Sequence, residues 1–194
     1  MCDADLMTAQ TPARFLTNAL NPFVIFTALF LFVALAESAT RRALLYTGAE
    51  LLAAGIVAGY VLFMRRKARV GDFWISVRAT RLTPALFLLS AFVALLVALW
   101  LLGVPDELLL LTLSMGLASA TVAFVTLFFK ASAHCTVAGH AATAGIILLG
   151  PVGWMFALAL PLVVWSRVAL GAHTLTETLA GAAVGVGFAV LFLM

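Results

Sequence analysis

The chain has 194 residues, of which 65% are hydrophobic and 10% charged, and its formal net charge is +3. A soluble domain of this length exposes far more polar surface, so the composition and the mean hydropathy of +1.19 exclude a soluble globular protein. Apolar runs of about 18 residues or more recur along the chain, and they are too continuous for the alternating strands of a barrel. We therefore predict an all-α fold, a polytopic transmembrane helical bundle of about six to seven spans.

The apolar segments divide the chain into successive predicted spans. In chain order they are 18–36, 43–64, 84–103, 107–129, 132–149, 154–165 with a turn on either side, and 175–194. Pro105, Gly150 and Pro151 lie where tight reversals are needed. The first run is followed by small residues, but Asp3 and Asp5 precede it, so we expect a retained helix rather than a cleaved signal peptide. No soluble segment of domain size is left, which predicts a single membrane domain, 1–194.

The basic residues are divided unequally between the two ends of these spans. Arg41 and Arg42 fall on one side, and the other lysines and arginines fall on the opposite side. The second group is Arg14, Arg65, Arg66, Lys67, Arg69, Arg78, Arg81, Lys130 and Arg167. Because cytoplasmic loops are enriched in basic residues, this bias predicts that the second side faces the cytoplasm. We expect an integral protein of a prokaryotic plasma membrane.

Cysteines and histidines give no pattern typical of a metal site. Cys2 and Cys135 form no CxxC pair, and the three histidines would need carboxylates from elsewhere to hold zinc. We therefore expect neither a metal nor another cofactor. In the last span Gly181, Gly185 and Gly187 predict close packing against another helix, since small residues permit close approach.

Polar side chains suited to phosphate collect in three separated segments on the predicted cytoplasmic side. The segments are 76–84, 130–134 and 166–177, and an even number of crossings separates each from the next. They contribute Arg78, Arg81, Lys130, Ser132, His134, Ser166, Arg167, His173 and Glu177. Guanidinium and ammonium groups bind phosphate oxygens, while imidazoles act as nucleophiles or proton donors. The set predicts a site for phosphoryl transfer.

His173 and Glu177 are the most informative pair in this set. They stand at positions i and i+4, so they share one face of a helix. A carboxylate there accepts a proton from one ring nitrogen and leaves the other nitrogen free to attack. Arg167 precedes His173 across a turn that contains Gly171, and it can reach back over the same site.

These residues resemble a known family. The segment 166–181 has the sequence SRVALGAHTLTETLAG, which is similar to the third signature of the type-2 phosphatidic acid phosphatase superfamily, SRxxxxxHxxxD. Ser166, Arg167 and His173 fall on the motif with the same spacing, and Glu177 stands in place of its aspartate. The resemblance covers a core of about 65–194, with 18–64 as extra N-terminal spans.

The second signature of that family, PSGH, has two possible counterparts. The sequence ASAH, 131–134, keeps the serine and the histidine, whereas VAGH, 137–140, keeps the glycine and the histidine. We prefer His134, because Ser132 adds a phosphate ligand and Lys130 lies one turn away, and we keep His140 as the alternative. The two histidines differ by about 240° around a helix, so they cannot both face one cavity.

The first signature, KxxxxxxRP, is the least complete. Arg81 is similar to its arginine, but Pro84 follows three positions later instead of immediately, and Trp74 occupies the position of the lysine. Arg78 or Lys130 is predicted to supply the missing positive charge.

The resemblance implies a metal-independent membrane phosphatase acting on a lipid phosphate or a prenyl diphosphate. In that scheme His173 becomes phosphorylated, Glu177 supports it, and His134 protonates the leaving group. Arg167, Arg81, Arg78, Lys130, Ser132 and Ser166 hold the phosphate. The expected partner is a membrane lipid and not a nucleic acid. The alternative is a catalytically degenerate member of the family that binds lipids or partner proteins.

Overall fold

The structure, a computed structural model, describes residues 3–67 and 82–194, with side chains from 11–67 and 83–194. These residues form helices and connecting turns, and they contain no strand. The α-helices are α1 Asp3–Ala19, α2 Pro22–Glu37, α3 Thr40–Arg66, α4 Leu82–Leu101, α5 Asp106–Val125, α6 Ala133–Leu149, α7 Trp154–Ala169 and α8 Leu175–Leu193. The predicted helical bundle is confirmed, and α2 to α8 match the predicted spans to within about four residues.

The first helix was not predicted. Residues 3–19 contain Asp3, Asp5 and Pro12 and lie almost entirely before the first predicted span, where a polar N-terminal tail is expected, yet they form α1. The chain bends by 42° between α1 and α2. Asn21 caps α2 by accepting a hydrogen bond from the backbone N–H of Val24, and Pro22 occupies the first turn, where no N–H partner is needed. α1 packs against α7, so this part of the chain belongs to the same bundle.

Five of the described helical stretches are long and apolar enough to cross a membrane, or six if the bent pair of α1 and α2 counts as one span. One of the five, Ala133–Ala169, contains both α6 and α7. It folds back on itself, because His134 at its beginning lies within electrostatic range of Arg167 near its end. Each arm is about 25 Å long, slightly shorter than the hydrocarbon core of a bilayer. A hairpin begins and ends at the same face, so the start of α6 and the end of α7 lie at the same end of the bundle.

Glycine makes the reversal between α6 and α7 possible. Gly150 has a φ of 56°, a conformation that side-chain-bearing residues rarely adopt. Pro151 follows it in the short 3₁₀ turn Gly150–Gly153. A Cβ atom on Gly153 would overlap the carbonyl group of Gly145 in α6. The hairpin therefore closes backbone against backbone.

α6 and α8 also pack with their backbones in direct contact. A Cβ on Gly181 would overlap the carbonyl oxygen of Ser132, and one on Gly185 would overlap that of Thr136. In the other direction, a Cβ on Gly139 would meet the backbone of Ala182 at 2.6 Å. Gly187 has nothing within 4 Å. The predicted close packing is thus confirmed for Gly181 and Gly185 and is wrong for Gly187.

The turns of the bundle lie at two opposite ends. Glu37, Arg42 and Tyr46 line a pocket together with Gly103 and Pro105, so the α2–α3 and α4–α5 turns are neighbours. The end of α1, the start of α6 and the α7–α8 turn gather at the other end, which we call the basic end because it carries Lys130 and Arg167. Arg69, Arg78 and Arg81, which were predicted to share this end, lie outside the residues whose side chains the structure describes.

Candidate active site

The turn between α7 and α8 is folded around one carbonyl group. The backbone N–H groups of Ala172 and His173 both donate to the carbonyl oxygen of Arg167, at 3.1 and 3.3 Å. Gly171 permits this turn with a φ of 63°. As a result His173 is held close to the end of α7, where Arg167 is located.

His173 and Glu177 form the pair that the i, i+4 spacing predicts. The distance from His173 Nδ1 to Glu177 Oε2 is 3.2 Å. The same oxygen accepts the backbone N–H of Thr174 at 3.0 Å, while Thr174 Oγ1 accepts the backbone N–H of Glu177 at 3.3 Å. This reciprocal capping box fixes the carboxylate at the start of α8. An ionised carboxylate only accepts hydrogen bonds, so Nδ1 carries the proton and Nε2 keeps a free lone pair.

A cavity of about 310 Å³ begins at this turn and extends between the helices. His134, Arg167 and His173 all line it. Its other described walls are almost entirely apolar and come from α2 to α6, with residues such as Phe26, Val57, Leu88, Phe92, Met115 and Val137. The three cationic or imidazole side chains therefore stand at one end of an apolar chamber.

The cavity reaches well into the bundle. α3 runs toward the basic end and lines the cavity from Glu50 to Val61, whereas α4 runs away from it and lines the cavity from Pro84 to Leu95. Each of these stretches rises about 16 Å at 1.5 Å per residue. Glu50 and Leu95 therefore mark the deep end of the cavity, opposite the histidines.

The two histidines and Arg167 interact electrostatically. His134 is 5% exposed and Arg167 is 7% exposed, so water screens the interaction between these two side chains only weakly. Burial lowers the pKa of His173, and the charges of Arg167 and Lys130 lower it further, whereas Glu177 acts in the opposite direction. His173 is consequently neutral at pH 7, the state in which Nε2 is nucleophilic.

Lys130 contacts the same turn from outside. Its Nζ donates to the carbonyl oxygen of Ala172 at 2.8 Å, and the side chain is exposed. Among the described residues that line the cavity, Lys130 is absent. The contact ties the start of α6 to the residue before His173.

Ser132 and Ser166, both predicted to bind phosphate, are fully buried and also lie off the cavity wall. The backbone N–H of Ser132 donates to the carbonyl oxygen of Glu177 at 3.1 Å, which joins α6 to α8. Ser166 Oγ donates to the carbonyl oxygen of Val163 at 2.9 Å and accepts from Thr17 Oγ1 at 3.1 Å. Both serines hold helices together at the basic end. The second contact was missed because α1 was not predicted.

His140 lies apart from the cavity, between α5 and α6. Its Nε2 is 2.8 Å from Ser114 Oγ, and that hydroxyl donates its single proton to the carbonyl oxygen of Leu111 at 3.0 Å. The hydroxyl therefore accepts from Nε2. Of the two candidates for the second signature, His134 faces the cavity and His140 packs within the bundle.

Other members of the predicted set can be placed only in part. Arg78 and Arg81 lie outside the described residues. Within 3–67 and 82–194, no group of three or more histidine, cysteine, aspartate and glutamate residues is arranged to hold a metal ion. One ionisable residue among the described cavity walls was left out of the predicted site. It is Glu50, whose only sequence signal is an acidic residue within an apolar run.

Comparison with known proteins adds no relative. No protein-family model matches the chain, and no curated protein or solved structure matches it either.

Proposed function

We propose that this protein is a membrane phosphatase that hydrolyses a lipid phosphate or a prenyl diphosphate through a phosphohistidine. The observation that carries the proposal is the convergence of His134, Arg167 and His173 on one end of an apolar cavity. A cation, a neutral imidazole and a second imidazole are the groups that such a reaction requires. The apolar walls suit the hydrocarbon chain of a lipid whose phosphate rests at the basic end.

In the first step His173 Nε2 attacks the phosphorus atom. The new N–P bond forms as the P–O bond to the leaving group breaks, and His134 donates a proton to the leaving oxygen. The negative charge of the bound phosphate favours the protonated form of this neighbouring imidazole. Glu177 holds the Nδ1–H of His173 and stabilises the positive charge that the ring acquires.

In the second step water replaces the histidine on phosphorus. His134 takes a proton from the water as its oxygen attacks, the N–P bond breaks, and inorganic phosphate leaves with both histidines restored. Arg167 is the described side chain placed to bind the phosphate oxygens in both steps, because it lines the cavity beside both imidazoles. Arg78 and Arg81 are proposed as further phosphate ligands on the basis of the sequence resemblance.

Phosphate release from purified protein tests this proposal. Wild type and His173→Ala are incubated in detergent with phosphatidic acid, phosphatidylglycerol phosphate and a prenyl diphosphate, with and without a chelator. We expect wild type to release inorganic phosphate from at least one lipid in the presence of the chelator. His173→Ala should lose about 10⁴-fold or more of that activity, as expected for the loss of a nucleophile. Acid-labile ³²P label should appear on wild type and not on the variant.

A matched control is His140→Gln, which changes a histidine away from the cavity. It should retain phosphate release within about threefold, since it touches neither the turn nor Arg167. Full activity of His173→Ala would disprove the nucleophile assignment, and loss of turnover with the chelator would disprove the metal-independent scheme. Lipid binding without turnover by wild type would favour the degenerate family member.

A further inference from the structure

Glu50 is a buried carboxyl group that the proposed reaction does not use. It is 3% exposed, lies within α3, and lines the deep end of the cavity. Acidic side chains inside membrane-spanning helices are expensive, and those that persist usually face a cavity or a functional partner. Glu50 therefore requires a partner at its own depth.

Within the part of the chain that the structure describes, one hydrogen bond reaches this carboxyl group. Thr27 Oγ1 of α2 donates to Glu50 Oε2 at 2.8 Å. A carboxyl group has two oxygens and about four acceptor positions, so this bond leaves most of its capacity unused. Among the described residues that line the cavity, the arginine and histidine side chains are His134, Arg167 and His173, and all three stand at the other end. The cavity itself is the direction from which a further partner can come.

An apolar chain that reached Glu50 would remove water from the carboxyl group without replacing its hydrogen bonds. Burying a polar group without a replacement hydrogen bond is unfavourable. A hydroxyl on the chain at that depth would instead donate to the carboxyl group. A site built to bond a hydroxyl discriminates strongly against an analogue that lacks it, because its own polar group is then left unpaired.

We propose that Glu50 is a specificity-determining residue that selects a lipid phosphate with a hydroxyl group on its chain. This inference rests on the proposed function for the position of the phosphate at Arg167 and His173. The cavity depth of about 16 Å places the hydroxyl about twelve carbons from the phosphate, at roughly 1.2 Å per bond of an extended chain. The substrate class is thus a long-chain phosphate that carries a hydroxyl group about twelve carbons from the phosphate.

Equilibrium binding tests this inference without depending on turnover. Sixteen-carbon alkyl phosphates, either plain or hydroxylated at carbon 4, 8 or 12, compete with a fluorescent alkyl phosphate for protein in detergent. We expect wild type to bind the 12-hydroxy compound about tenfold more tightly than the plain one. Glu50→Leu should abolish or reverse that preference, and Glu50→Gln should keep most of it, because its carbonyl still accepts a hydrogen bond.

The control is Glu37→Leu, which changes an exposed glutamate outside this cavity and should leave the preference at its wild-type value. Equal wild-type affinity for plain and 12-hydroxy compounds, or a preference that survives in Glu50→Leu, would overturn the inference. Selective binding without phosphate release would refute the proposed reaction while supporting the role of Glu50. If no alkyl phosphate binds, both proposals fail.

Discussion

The two sides of α6 are packed in opposite ways. Toward α8 the backbones touch, and a single added methyl group at Gly185 would overlap Thr136. Toward α3, α4 and α5, His134 and Val137 instead face a cavity of about 310 Å³. Backbone contact between helices leaves no room for a ligand, whereas a cavity leaves the walls without packing partners. α6 thus has a packed side, toward α8, and an open side, toward the cavity.

This arrangement explains how the site residues are positioned. His134 is held by the close contact of α6 with α8, while His173 lies in the turn just before α8 and Glu177 in its first turn. The backbone bond from Ser132 to Glu177 joins the two helix starts. Of the helices that line the cavity, α2 to α5 carry none of the described residues in the proposed reaction. The histidines proposed for the chemistry are therefore anchored by the contact between α6 and α8, and the proposed ligand selection falls to the open side of α6.

The largest predicted effect on stability comes from disrupting the backbone contact between α6 and α8. Gly185→Ala places a Cβ against the Thr136 carbonyl oxygen and within 2.7 Å of the His140 backbone nitrogen. Forcing such an overlap costs about 2 kcal/mol, which lowers the Tm by about 6 °C for a chain of this size. Phosphate release should fall as well, because His134 and Glu177 shift relative to each other. Thermal unfolding in detergent measures the first effect.

Gly187→Ala is the matched control, since nothing lies within 4 Å of the added Cβ. Its Tm should stay within about 1 °C of wild type or rise slightly, because alanine favours helix more than glycine does. Equal losses in the two variants would show that backbone contact is not what distinguishes the two positions.

Sequence patterns predicted the packing of α6 against α8 better than the cavity on the other side of α6. Small residues at 181 and 185 indicated close packing before any coordinates, and the apolar runs located α2 to α8. The i, i+4 pair of His173 and Glu177 also followed from spacing alone. In these cases one local pattern determines the structure, so the sequence is sufficient.

The cavity and α1 could not be predicted in the same way. Ala53, Leu88 and Met115 are ordinary apolar residues, and only the relative placement of three helices makes them cavity walls. Ser166 was expected to bind phosphate, but its hydroxyl bonds to Thr17 in a helix whose polar composition had indicated a tail. Where a residue's role depends on a distant partner, a linear pattern does not contain it.

A smaller effect is predicted for the bond that joins the start of α6 to the His173 turn. Lys130→Met removes the donor to the Ala172 carbonyl oxygen and one of the positive charges near His173. Loss of an exposed bond of about 1 kcal/mol should lower phosphate release about fivefold. Because Lys130 helps to lower the pKa of His173, its loss raises that pKa. The nucleophile must be neutral, so the acid limb of the pH profile of kcat/KM shifts to higher pH.

Lys67→Met is the control for this variant, since Lys67 is an exposed lysine at the end of α3. It should leave both the rate and the acid limb unchanged. A fivefold loss in Lys130→Met without movement of the acid limb would mean that the charge of Lys130 does not act on His173.

The smallest predicted effect lies within the packed part of the bundle, away from the cavity. Ser114→Ala removes the acceptor of the His140 Nε2–H, and His140 Nδ1 is already buried without a partner. Side-chain hydrogen bonds between membrane helices contribute about 0.6 kcal/mol on average, so the Tm should fall by about 2 °C.

Ser90→Ala is the control, because Ser90 bonds only within its own helix and is exposed. Phosphate release should be the same in both variants, since His140 does not line the cavity. A loss of activity in Ser114→Ala alone would instead place His140 among the groups on which the reaction depends, and would extend the site from the open side of α6 into its packed side.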